Sequence, residues 1–428
     1  MSYSSQLDIA FVTPYLPLPL NDGAKLRDYN ILIRLAQYAN IHLISYLHSS
    51  DDISLIDNFK DICSSVHLVN HTYWRDRSKF KNFLHFGKSL GSLEPFTIFE
   101  FNTELLNQTI QKCIITHDIQ VVHASKLQMI KCLQNLPSHV VRGLDQHNVE
   151  SEAWRSRCLN LKNSIPNRCI ASLQESLTKR IELNLEKYAD IIYTVSEHDK
   201  RTFQQLNSLN TQSTIVCAKQ GVDINFFNPN GIEPIYTDRP GKHIIFIGGM
   251  SYAPNVDAVL FFAHNIFPLI KARSEQSFTF WIVGTQPLDS IKELAINNQD
   301  IIVTGSVPDV RPYLKMADIA IAPIRFGGGT KTKILEALSM KLPTVISCHS
   351  SEGIDNCGQD TSLFIVSTDD PILFADSVIR LSNLKSVVGE FARNFVTNNY
   401  SWDVTANTIL KEYEASLTRK LAGFTKNI

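Results

Sequence analysis

The chain has no CxxC pair, no uninterrupted apolar run of membrane-spanning length and almost no net charge. Each absence removes a class of protein. The eight cysteines, Cys63, Cys113, Cys132, Cys158, Cys169, Cys217, Cys348 and Cys357, are scattered. That argues against a zinc knuckle or redox dithiol and fits free thiols in a reducing compartment. With 41 Lys and Arg against 42 Asp and Glu, overall charge gives no ground for nucleic-acid binding. Without apolar runs near ~18 residues, no spanning helix is expected. The opening "MSYSSQLDIAFVTPY" has no basic n-region and no long apolar core, so no signal peptide is expected. These readings point to the cytoplasm and leave peripheral membrane contact open.

What the sequence does have is alternation. Its 428 residues, 44% hydrophobic, suit two or three domains of the usual ~100–200 residues. Short β-branched runs at 8–13, 41–47, 66–70, 119–125, 139–145 and 190–196 read as strands. Helical patterns lie between them at 28–39, 102–116 and 151–188, the last interrupted near Pro166. Continuous apolar strands alternating with helices predict a parallel sheet covered on both faces. The stretch "NPNGIEPIYTDRPGK" (228–242), rich in proline and glycine, reads as a linker. A second alternation follows, with strands at 243–249, 278–284, 300–306, 319–324, 343–347 and 363–367. Its helices fall at 255–272, 288–297, 310–317, 331–340 and 371–383. The expected fold is α/β: two tandem Rossmann-like doubly wound domains facing a central cleft. The expected boundaries are 1–228, 229–400 and a closing helix within 401–428. Ligands in such folds bind beyond the C-terminal strand edges, where helix N-termini point.

The segment "RFGGGTKTKILEALSMKLPTVIS" (325–347) falls in such a place. Glycines let backbone N–H groups approach a ligand. Lys331 and Lys333 are expected in the first helical turn, where cations are unfavourable unless an anion docks there. Glu336, three residues beyond Lys333 and four beyond Thr332, shares their face. A carboxylate just deeper than a phosphate site suits a vicinal diol. The same residues also read as a glycine loop feeding a surface helix with a solvated ion pair. Neither GxxxxGK[ST] nor a strand-borne GxGxxG is present.

Taken with its neighbours, this segment resembles the donor-site region of retaining glycosyltransferases of the GT-B fold, family 4. "FIGGMSYAPNVDAVLFF" (246–262), "WIVGTQP" (281–287), "VTGSVPDVRPYLKMADIAIAPI" (303–324) and "AKQGVDINFFNP" (218–229) resemble further pieces of the same family in the same order. The resemblance implies that Glu336 holds the nucleotide ribose. It passes the nucleobase by Gly305, Val307 and Pro308. It turns Gly328, Gly329, Thr330 and Lys331 to the sugar and diphosphate, with Gly248 and Gly284 at neighbouring strand ends. The family often carries a glutamate eight residues before the second, where Gly328 stands here. It often carries an arginine and lysine after the first "G-G", absent here; Lys331, Lys333 or Arg325 is left to supply that charge.

In the first half, Gly23 and Arg27 follow a proline-rich βα turn, and Arg27 reads as an anion contact or as an ordinary surface arginine. "GLDQHNVESEAW" (143–154) crowds Asp145, His147, Asn148, Glu150 and Glu152 at a strand end. Similar enzymes place H-N-x-E on the acceptor side, and an imidazole there can accept or relay a proton. The spacing matches no metal-ligand set, and GT-B enzymes generally need no metal or cofactor beyond the nucleotide-diphosphate sugar. Ser196 reads as an N-cap with Asp199 three residues on. Residues 71–90 interleave aromatics with Arg75, Arg77, Lys79, Lys81 and Lys88, which suits an acidic membrane surface or lipid-linked acceptor, or else a loop with scattered aromatics.

The implied activity is transfer of a hexosyl unit from an NDP-sugar to a carbohydrate or lipid-linked hydroxyl with retention, in polysaccharide or cell-envelope glycan synthesis. Lys331, Glu336 and His147 are the catalytic candidates. A sugar-nucleotide epimerase on the same fold and a non-catalytic nucleotide-sugar-binding subunit are the alternatives. Nucleic acid is not an expected partner.

Overall fold

The computed structural model describes residues 6–20, 22–48, 53–72, 77–160, 165–206, 213–327, 329–354 and 364–426. Gly328, Arg75 and Cys357 lie outside them. The strands are β1 (Leu7–Thr13), β2 (Ala39–His48), β3 (Ser65–His71), β4 (Val121–Ser125), β5 (Val141–Gln146), β6 (Ile191–Thr194), β7 (Thr214–Cys217), β8 (Lys242–Ile247), β9 (Phe278–Val283), β10 (Ile301–Gly305), β11 (Ile319–Ala322), β12 (Thr344–Ile346) and β13 (Ile365–Ser367). The helices are α1 (Gly23–Leu35), α2 (Asp57–Lys60), α3 (Lys79–Gly91), α4 (Phe96–Phe101), α5 (Glu104–His117), α6 (Glu150–Asn160), α7 (Ile165–Glu182), α8 (Glu197–Leu206), α9 (Ala253–Phe261), α10 (Phe267–Arg273), α11 (Asp289–Asn297), α12 (Arg311–Met316), α13 (Thr332–Ser339), α14 (Pro371–Ser382), α15 (Lys385–Tyr400) and α16 (Trp402–Lys426).

Two parallel sheets result. The first runs β3-β2-β1-β4-β5-β6-β7, the second β10-β9-β8-β11-β12-β13. Both reverse direction of growth beside their first strand, the doubly wound order whose crevice lies at that switch point. In register, Ile9 pairs with Ile41 on one side and Val121 on the other. Ile244 pairs with Ile319 across the second switch point. Strands that are apolar throughout are buried on both faces, as β9 is over its whole length. The first core gathers Val12, Ile44, Val122, Leu144 and Ile192, the second Phe246, Phe280, Ile282, Ile321 and Val345.

The chain divides into one unit of Met1–Lys219 with Thr405–Ile428 and another of Gln220–Val404. The proline-rich stretch is therefore not the boundary. Gln220–Pro229 already belongs to the second unit: Val222 N–H donates to Tyr400 O at 2.8 Å, and Arg393 donates to the carbonyls of Ile224 and Phe227. The tail helix belongs largely to the first unit: Tyr193 Oη donates to Ile409 O, and Lys420 pairs with Asp190 at 2.9 Å.

The expected helix at 255–272 is broken by a π-turn over Phe262–Ile266 before Pro268, which has no N–H to continue the ladder. Ala253–Arg273 is long and apolar enough to cross a membrane, yet Val259, Phe262, Ile266, Phe267 and Ile270 lie in the second core. Strand β7 and helices α2, α3, α4 and α15 had no counterpart among the expected elements.

Candidate functional site

In the second unit the loops after β8, β9, β10 and β11 meet at the C-terminal strand edge. Gly248 N–H donates to Val283 O at 3.0 Å, and Gly284 N–H to Gly305 O at 3.1 Å. Gly284 has φ +157°, and a Cβ there would lie 1.7 Å from the Gly248 carbonyl oxygen. No side chain fits at that crossing. Gly248, at φ +153°, would put a Cβ 2.8 Å from both Asn255 Nδ2 and Lys333 Nζ. The first glycine turn is thus backed directly by a lysine from α13.

Lys333 reaches inward. Its Nζ donates to Asn255 Oδ1 at 2.6 Å and lies 4.2 Å from the centroid of the Phe246 ring. Asn255 Nδ2 in turn donates to Gly249 O at 2.9 Å. Burial pulls the Lys333 ammonium down to about 7, against the pull of Glu336. Burial likewise pushes the half-buried Glu336 carboxyl up to about 7, opposed by Lys333 and by a hydrogen bond from Thr332. A cation and a carboxylate one turn apart are both held near neutrality, and the cation leans on an amide and a ring.

Lys331 departs from its expected place. Helix α13 begins at Thr332, so Lys331 is the cap residue, and no side chain caps the helix start. Its Nζ donates to Gly327 O at 2.9 Å and Gly329 O at 2.7 Å. It closes the glycine loop on itself rather than extending past it. His349 Nε2 lies 2.7 Å from the same Gly327 carbonyl and fixes the loop from β12. Gly329 is exposed, and Thr330 Oγ1 is buried with no partner among the described residues. Arg325 pairs with Asp257 at 2.9 Å and covers the Phe261 ring, so it is occupied elsewhere. Of the cations proposed for the first glycine turn, Lys333 is the one that stands at it. Gly305 has φ +72°, Val307 packs against the Trp281 and Leu314 cluster, and Pro308 is exposed.

In the first unit, Gly23 opens α1, where Asp22 accepts from the N–H groups of Ala24 and Lys25 at 2.9 Å each. Arg27 is fully buried. It grips Asp145 through Nε at 2.8 Å and Nη2 at 2.7 Å, and donates to the carbonyls of Ala218 and Lys219. The expected anion contact is therefore a structural clamp. Asp145 is likewise taken: burial would raise its carboxyl, but Arg27 and His147 hold it far below the usual range. His147 Nε2 lies 3.4 Å from Asp28 Oδ1 and 3.5 Å from Asp145 Oδ2, and burial's lowering of its pKa is outweighed by these two carboxylates. Two acceptor-only oxygens facing Nε2 place a proton there. His147 Nδ1, Asp28 Oδ2, Tyr15 Oη and the Gln146 amide are buried with no partner among the described residues. Asn148 is exposed. The N–H groups of Glu150 and Ser151 are capped by Glu182, and Asp199 N–H by Ser196 at 3.0 Å, as its spacing predicts.

The sequence reading missed Asp28, Tyr15, Gln146, Asn255 and His349. Asn255 carried a local signal, since "SYAPN" opens a helix directly after "GG"; the others have none outside the fold.

Residues 241–383 match the family described as Glycosyl transferases group 1. This span holds the whole glycine–lysine site. An uncharacterised glycosyltransferase of Methanocaldococcus jannaschii is 30% identical over 137 residues, which cover 30% of this chain and 34% of that protein. The aligned part is thus about a third of the relative's length. Among solved structures, a glycosyltransferase from Rickettsia africae superposes with a TM-score of 0.64 at 16% identity, covering 96% of this chain and 98% of that one. HepE of Anabaena, solved in complex with UDP, gives 0.56 at 13% identity, covering 96% and 100%. Sucrose-phosphate synthase of Thermosynechococcus elongatus gives 0.61 at 12%, covering 97% and 100%. At these identities the likeness establishes the fold: two Rossmann-like units of the GT-B type.

Proposed function

We propose that the chain is a retaining glycosyltransferase that takes a hexosyl unit from a nucleotide-diphosphate sugar and passes it to a hydroxyl of a carbohydrate or lipid-linked acceptor. The observation that carries this reading is the recess of Lys333, Asn255 and Glu336 behind Gly248 and Gly284. It offers what a nucleoside diphosphate needs: glycine backbone at close approach, an uncapped helix start, one cation and a carboxylate one turn deeper. Glu336 accepts from the ribose hydroxyls. Lys333 and the N–H groups at the start of α13 stabilise charge developing on the departing diphosphate, each good donor contributing on the order of 3 kcal/mol to the barrier. Lys331 acts at one remove by holding the loop. The group 1 domain over 241–383 and the UDP bound by HepE support this assignment.

His147 serves the acceptor. Its Nε2–H is fixed by Asp28 and Asp145, which leaves Nδ1, buried and without a partner among the described residues, as the atom for the acceptor hydroxyl. No carboxylate stands as a nucleophile among the residues assigned here, so same-face attack by the acceptor accounts for retention.

The enzyme works in the cytoplasm at a membrane surface, in polysaccharide or cell-envelope glycan synthesis. On α3, Phe80, Phe83 and Leu84 are exposed at helical spacing, and the exposed Lys81 and Lys88 flank them. Such a stripe suits an anionic lipid interface. Arg77 takes no part, since it bonds Glu100 at 2.9 Å.

The test is turnover with UDP- and GDP-hexoses and a lipid-linked acceptor, with the anomeric configuration of the product read by NMR. Retained configuration in the wild type, with the donor KM raised in Glu336→Ala, supports the reading. Inverted product, or unchanged donor KM in Glu336→Ala, rejects it.

A further inference from the structure

A second chemical cluster lies in the first unit at the N-terminal ends of β1, β2 and β3, the end of the sheet away from His147. Cys113 and His117 are four residues apart on α5 and therefore share one face. That face meets His42 on β2, whose ring centroid lies 4.3 Å from that of His117. His67 on β3 stands behind, 6.1 Å from His117. One ligand atom each from His42, Cys113 and His117 fall within 4.8 Å of one another. Around a tetrahedral ion with bonds of about 2.0–2.3 Å, ligand atoms sit about 3.3–3.8 Å apart. The half-buried His117 needs only a rotation on the order of 1 Å to close that difference.

We propose that His42, Cys113 and His117 bind a borderline divalent transition-metal ion of the zinc class, tying β2 to the end of α5. Two imidazoles and a thiol are the donors such ions select, in contrast to the all-oxygen sets of calcium and magnesium. An outer partner is already in place. Ser65 Oγ lies 2.8 Å from His42 Nδ1 and 2.8 Å from His67 Nε2, which orients the His42 ring. Asp8 Oδ1, 3.1 Å from His42 Nε2, borders the cluster on the β1 side without joining it, so the fourth position is left to solvent. A cavity of about 390 Å³ lined by His67, Lys112, Cys113, Thr116 and His117 adjoins the cluster, with His42 buried behind it.

Burial lowers the pKa of His42. Burial, with Asp8, pushes the Cys113 thiol up to about 11. Without metal it is an inert thiol; on binding, its proton leaves to solvent and the thiolate bonds the ion. Asp8 from β1, Lys112 from α5 and His67 from β3 are the titratable groups around it. The other cluster of this kind, Asp28, Asp145 and His147, is excluded because Arg27 already neutralises Asp145.

The experiment is titration of the full chain with CoCl2, followed by displacement with ZnCl2. The expected result is one equivalent of cobalt with a thiolate-to-cobalt charge-transfer band, displaced by zinc. Cys113→Ser abolishes the band, while Cys169→Ser at an exposed position keeps it. His117→Gln weakens cobalt binding by more than the about 10-fold that losing an outer partner costs, and Ser65→Ala weakens it by about 10-fold. Absence of the band in the wild type, or its survival in Cys113→Ser, overturns the proposal. Should Cys113→Ser fail to fold, unchanged cobalt affinity in His117→Gln overturns it equally.

Discussion

The two sets of buried charges in this protein are built on opposite plans. Around His147, Arg27 faces Asp145 with a bidentate pair, and Asp28 with Asp145 faces the imidazole; the charged forms hold one another in place. Around Lys333, the cation bonds an amide and lies on a ring, and burial drives it and Glu336 towards their neutral forms. In the first arrangement Arg27 and Asp145 are matched as folded. The second becomes favourable when an anion and a diol arrive. A buried charge that is matched internally supports structure; one that is left poorly matched is poised for a ligand.

The strongest way to break this contrast is to remove Arg27. Arg27→Met leaves Asp145 buried and unmatched, and chemical denaturation is expected to show a loss of about 3–5 kcal/mol. Nucleotide affinity of whatever remains folded should be unchanged. A fully stable Arg27→Met protein would mean that the first cluster is not a structural clamp.

Glu336→Ala comes next. Two hydrogen bonds to a charged group, at about 1.5–3 kcal/mol each, predict a donor KM raised by at least about a hundredfold. The stability of the free protein near neutral pH should hold or rise, because a half-buried carboxylate has been removed. Lys333→Met should act in the same sense and more weakly on affinity, by about 1.5–3 kcal/mol, measured as nucleoside diphosphate Kd. Opposite signs for stability in the two units are the signature of the contrast.

The smallest effect is a dependence on pH. Glu336 has a folded pKa above its ordinary value of 4.5, so its contribution to stability is full below that value and lost as pH rises to about 7. Lys333 has a folded pKa below its ordinary 10.5, so the folded state is penalised below about 7 and relieved as pH climbs beyond it. The site's contribution should therefore pass through a minimum near pH 7. Thermal melts against pH should show that minimum flatten in the Lys333→Met/Glu336→Gln double variant.

Much of the architecture was legible because buried parallel strands leave continuous apolar runs such as "DIAFVT" and "FTFWIV". The domain boundary was not. Proline content marked a surface stretch, whereas the actual division depends on Val222 and Arg393 reaching residues far along the chain. The donor residues were legible as a group, because loop, lysines and glutamate are contiguous. Their separate roles were not: whether Lys331 or Lys333 serves the glycine turn depends on Asn255, 78 residues away from Lys333. Arg27 was misread for the same reason, its partner Asp145 lying 118 residues on. Distant pairing fixes what a charged residue does, and one sequence does not show it.

The central claim is that Lys333 and Glu336 form an anion-and-diol site whose cation is partly neutral until occupied. Calorimetric titration of UDP at about pH 8, in two buffers of different ionisation enthalpy, tests it directly. The account predicts binding coupled to proton uptake, with the uptake abolished in Lys333→Met. UDP binding with no proton uptake, or with the same uptake in Lys333→Met, would contradict it.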